Sequence, residues 1–96
     1  MAVYLVTWEL NKEKPNYAEA RKQFIAHVER YENKKDAGLD SVRFVSTNST
    51  ADQLSDDLRK KLDNNDRIIV TKLVTGNHQG WLDKTLWDWI KPLRIS

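Results

Sequence analysis

Val3-Tyr4-Leu5-Val6-Thr7-Trp8-Glu9 is a run of strand-forming residues that starts almost at the N-terminus and stops on a carboxylate. Alternation places Val3 and Leu5 on one side of this strand and Tyr4, Val6 and Trp8 on the other, so both of its faces are apolar. Apolar surface on two faces must be covered twice, which predicts a central strand in a sheet with material packed above and below it. A chain of 96 residues has room for one such layered domain, residues 1–96, with a modest core.

The rest of the chain supplies the layers. Asn11 to Pro15 is a polar connection, and Asn16 with Glu19 three residues on predicts a capped helix starting near Tyr17. Its inward stripe is Tyr17, Ala20, Phe24, Ile25, Val28 and Tyr31, at spacings of three and four. The polar stretch 32–38 holds a short edge strand that turns near Gly38, and Ser41 to Thr47 is a stronger strand. Thr50 and Gln53 form a capping box opening a second helix, whose buried stripe is Ala51, Leu54, Leu58 and Leu62. Asp63 to Asp66 is a turn, and Arg67 to Val74 is a third strong strand, again apolar on both faces. After the Gly76 to Gly80 break, Asp83 is placed to cap a last helix carrying Leu86, Trp87, Trp89 and Ile90 before Pro92. Residues 81–96 thus form a Trp-rich helical tail.

Strand, helix, short strand, strand, helix, strand is the pattern of an α+β ferredoxin-like (βαββαβ, split βαβ) domain. It predicts an antiparallel sheet with two helices on one face and the C-terminal helix added. The first and third strands are expected in the centre, side by side and parallel, with Glu9, Ser46 and Thr47 emerging at one edge beside both helix N-termini. The second sheet face needs its own cover, either the Trp-rich tail or a second copy of the chain.

The composition, 40% hydrophobic and 31% charged, is that of a globular protein, and no apolar run approaches the ~20 residues of a membrane span. With no basic or apolar leader before the first strand and no cysteine, the expected location is cytoplasmic, without membrane association. The net charge of +2 leaves the partner open, because bases and acids are interleaved.

Tyr4 to Leu10, Asp40 to Thr47 and Leu62 to Val70 together resemble the small bacterial SinR-like proteins, over most of the chain to about Val74. More distantly the pattern is similar to the CRISPR-associated endoribonuclease-like small subunit that accompanies the adaptation integrase. That resemblance implies a ferredoxin-like homodimer and a nucleic-acid-related role with divalent-metal nuclease activity. It implies Glu9 as the counterpart of the family's aspartate at the end of the first strand, which approaches its dimer mate. Glutamate in that place adds a methylene and changes the coordination geometry.

Glu9 is accordingly the candidate catalytic and Mg²⁺-binding residue, shared with its symmetry mate; the plainer alternative is a solvated strand end or a salt bridge to Lys12 or Lys14. Lys12, Lys14, Arg43, Ser46 and Thr47 are the candidate contacts to RNA or DNA, through phosphate charge, hydroxyls and the following helix N-terminus. Capping and surface solvation explain the same residues without a ligand. His27, one position off the first helix's apolar stripe, reads as structural, and His78 lies in an exposed loop with no nucleophile placed beside it. The crowded tryptophans of the tail fill a core or a dimer seam, or stack on bases if a basic groove accompanies them. Two functions follow: a metal-dependent nuclease or nucleic-acid binder, and a catalytically inert module that binds a protein partner.

Overall fold

The computed structural model describes residues 1–93; residues 94–96 of the expected tail lie outside the described residues. The elements are β1 (Ala2–Glu9), α1 (Tyr17–Val28), β2 (Glu32–Lys34), β3 (Val42–Thr47), α2 (Ala51–Leu58) with a 3-10 turn (Arg59–Lys61), β4 (Arg67–Lys72) and α3 (Lys84–Leu93). They form a small α+β fold with one four-stranded antiparallel sheet in the order β2-β3-β1-β4. As the two apolar faces of β1 require, β1 and β3 are the central strands.

The expected parallel pairing of the central strands fails. β3 runs antiparallel to β1, with Ala2 opposite Thr47 and Thr7 opposite Val42. The chain goes out along β1, returns through α1 and goes out again along β2, so the hairpin strand β3 must come back between them. Glu9 therefore lies at one end of the sheet, and Ser46 and Thr47 lie at the other.

Two cores sandwich the sheet. On one face Tyr4, Val6, Trp8 and Val45 pack with Leu10 against Phe24 and Val28 of α1 and Leu54 and Leu58 of α2. Trp8 and Phe24 meet with ring centroids 5.0 Å apart at 57°, a tilted contact favoured by the ring quadrupoles. On the opposite face Val3, Phe44 and Leu73 are covered by Leu86 and Ile90 of α3. The tail thus supplies the second cover. Its entry is held by the Asp83 N–H, which donates to the Asp36 carboxylate at 2.7 Å, and that bond holds the Asp36 carboxyl below its usual range.

The helix ends differ from one another. At α2 the capping box forms, with the Gln53 N–H on Thr50 Oγ1 at 3.1 Å and the Thr50 N–H on Gln53 Oε1 at 2.9 Å. At α1 the expected box is absent: Asn16 makes no side-chain cap bond, and the Glu19 carboxylate instead accepts from Gln23 at 3.2 Å. At α3 the Asp83 backbone carbonyl accepts the Leu86 and Trp87 N–H groups, and the helix continues to Leu93, past Pro92. Among the described residues no helix is long and apolar enough to cross a membrane.

α3 does not reach the whole of its face. β4 is an outer strand, and its Ile69, opposite Thr7 on that face, is 61% exposed rather than covered. The strand read as apolar on two faces therefore has one open end.

Candidate functional site

β1 carries Glu9 out of the sheet at this open end, where it is exposed and opposite Arg67 of β4. Two shallow clefts border it. One, of about 460 Å³, is lined by Glu9, Lys12, Tyr17, Arg21, Asp40 and Ser41. The other, of about 310 Å³, is lined by Thr7, Trp8, Glu9, Arg67, Ile68 and Ile69. The first is held in shape by its backbone: the Ser41 carbonyl accepts from the Trp8 N–H at 3.2 Å and Thr7 Oγ1 at 2.9 Å, and Arg21 donates to the Asp40 carbonyl at 2.8 Å.

Glu9 pairs with neither Lys12 nor Lys14, since among the described residues it forms no ion pair. Lys12 and Arg21 nevertheless bring two cations into its cleft, and Asp40 brings a second acid. Such a set suits an anion at the lysine and arginine side. For a metal it is sparse, because no three His, Asp or Glu side chains among the described residues are grouped as a self-sufficient site requires. Any Mg²⁺ here would need oxygens from a substrate phosphate or from a second copy.

The other expected nucleic-acid contacts are dispersed. The Arg43 side chain is 7% exposed and donates to Glu29 at 2.8 Å and Asn33 Oδ1 at 3.3 Å, beneath the first core's edge. Ser46 is buried, and Thr47 Oγ1 accepts the Ser49 N–H at 3.2 Å while Tyr4 holds the Ser49 carbonyl at 2.8 Å. Lys14 reaches Asp66 at 2.9 Å and Asp63 at 3.1 Å. Only Lys12 of that group stands beside Glu9.

Asp66, which the sequence shows only as part of a turn, is the residue that builds this end. Its side chain is fully buried and accepts from the Asn11 N–H at 2.9 Å, the Asp63 N–H at 3.0 Å and Lys14 Nζ. Burial pushes its carboxyl up, but the Asp63 N–H, Lys14 and the Asn11 N–H together outweigh burial and hold it below the usual carboxylate range. The segment that follows Glu9 is thereby clamped to the start of β4. No periodicity distinguishes an inward aspartate from a solvated one in Asp-Asn-Asn-Asp, so the signal was absent from the sequence.

A second polar cluster ties the two helices together. The Asp57 carboxylate accepts from Tyr31 and Arg30, and His27 Nε2 lies 2.8 Å from the Asp57 carbonyl oxygen. Burial raises and these partners lower the Asp57 carboxyl, which ends below its usual range. His27 is 12% exposed and wedged here, the structural role expected of it. His78 donates from Nδ1 to the Val74 carbonyl at 2.9 Å and stacks on Trp87. Comparison with protein-family models, with curated proteins and with solved structures returned no match for this chain.

Proposed function

We propose that this chain is an interaction module of ferredoxin-like topology that works by self-association, a homodimer joined at the open end of its second sheet face. The strand order β2-β3-β1-β4, with two helices on one face, supports the topology. The observation that carries the association is Ile69, a large apolar side chain 61% exposed on an outer strand, on the sheet face that α3 covers only in part. An exposed β-branched side chain beside half-exposed Thr7 is the nucleus of an interface, and Arg67 and Lys72 at the two ends of β4 discourage indiscriminate edge pairing. Light scattering at micromolar concentration should give twice the 11.3 kDa of one chain, and Ile69→Lys should return the monomer. A wild-type monomer under those conditions would sink the proposal.

A second function is supported by Glu9, an exposed, unpaired carboxylate at that same end with Lys12 and Arg21 in its cleft. In a homodimer joined there, Glu9 would act with Mg²⁺ and a substrate phosphate in nucleic-acid cleavage, since Mg²⁺ is commonly held by one or two carboxylates and phosphate oxygens. Incubation of RNA and DNA with the protein and Mg²⁺ or Mn²⁺ tests this. Cleavage that survives in Glu9→Gln belongs to another site or to a contaminant.

A further inference from the structure

Trp81 stands 98% exposed in the connection between β4 and α3, while Leu86 and Ile90 a few residues on are buried. It borders an open groove of about 550 Å³ whose other walls include His78, Trp87, Lys84, Asp88 and Lys91. The lysines and Asp88 recur at intervals of four and three residues, so they form one stripe along α3. The inner wall is a fixed aromatic pair: the rings of His78 and Trp87 stack with centroids 6.2 Å apart and planes 18° from parallel. The bond from His78 Nδ1 to the Val74 carbonyl holds that pair in place. Lys84 is paired with Asp88 at 2.8 Å, and Lys91, whose charge also acts on Asp88, makes no closer ion pair among the described residues.

We propose that this groove binds single-stranded nucleic acid, with bases stacked on Trp81 and on the His78–Trp87 pair and the phosphate backbone running along Lys84 and Lys91. Charge complementarity selects this occupant. Two lysines against one aspartate leave the groove net positive, and flat aromatic faces next to cations match a polymer that alternates planar bases with phosphates. An apolar peptide would leave the lysines unused, and an acidic peptide would leave the indole face of Trp81 in water. Every base has a stacking face, so recognition is sequence-tolerant. The groove shares no residue with the Ile69 surface, and this binding does not depend on self-association.

The full chain should bind fluorescein-labelled oligo(U) or oligo(dT) saturably by anisotropy, more tightly at about 50 mM than at about 200 mM salt. Trp81→Ala should weaken the dissociation constant roughly tenfold, because stacking on one aromatic has about that effect, and Trp81→Phe should restore most of it. Lys91→Ala should reduce the slope of log affinity against log salt by about 0.7, one phosphate contact on a single strand. Ile69→Lys should leave oligonucleotide binding intact even where it dissolves a dimer, which separates this site from the association surface. The proposal is overturned if the oligonucleotides do not bind at low salt, if Trp81→Ala binds as wild type does, or if polyglutamate competes as well as oligo(U). A change of mass in Trp81→Ala with unchanged oligonucleotide affinity would make Trp81 a contact between copies and overturn it equally.

Discussion

Asp66→Ala is the most informative perturbation of the framework that carries Glu9. The substitution removes the acceptor for the backbone N–H groups of Asn11 and Asp63, at 2.9 and 3.0 Å, from a side chain that is fully buried. Both bonds are part-buried, so each N–H left without its acceptor costs toward the lower end of about 1–3 kcal/mol, and with the Lys14 contact also lost the expected total is about 3 kcal/mol. For a domain of this size, whose whole stability is roughly 5–14 kcal/mol, that is a large fraction. The melting temperature should fall by roughly 12–24 °C. Urea titration followed by tryptophan fluorescence measures the loss directly, and Asp66→Asn, which keeps one carbonyl acceptor, should show about half of it. The pH dependence gives an independent check. Because the folded Asp66 carboxyl is held below its unfolded value, the unfolded chain binds more protons in between. The stabilisation is complete above the unfolded value of about 4 and is lost as pH falls through the folded one. The gap between wild type and Asp66→Ala should therefore be constant near neutrality and shrink below about pH 4. A deficit under about 1 kcal/mol at pH 7, or a gap unchanged in acid, would refute the clamp.

Thr50→Ala should cost about 1 kcal/mol in thermal unfolding, because it opens a complete capping box, while Asn16→Ala should be nearly silent because Asn16 makes no cap bond. Ile90→Ala should destabilise by about 2–5 kcal/mol, since its side chain is wholly buried in the second core; an effect near zero would mean that α3 is not part of the folded unit.

How much of this was legible beforehand depends on the range of the interaction involved. Alternation of Val3 with Tyr4, Val6 and Trp8, the spacing of Phe24 and Val28, and Leu54 with Leu58 all report which side of an element is apolar, and each of these residues is in the core. The Thr50–Gln53 box spans three residues and formed as its chemistry dictates. The Asn16–Glu19 pair has the same spacing, yet Glu19 had a competitor in Gln23 one helical turn away. Local rules rank the options; neighbours choose among them.

What the sequence by itself determined is therefore the set of elements, their buried faces, the central placing of β1 and β3, and the need for a cover that α3 supplies. What only the tertiary structure decided is direction and end. Periodicity is the same whichever way a strand runs, so the antiparallel pairing of β1 with β3, which parts Glu9 from Ser46 and Thr47, came from the path of the connections. Charge in a sequence carries no address either. Lys14 and Arg43 were drawn into ion pairs with Asp66 and Glu29, whereas Lys91 came to line the groove beside Trp81, because packing fixes where each cation lies.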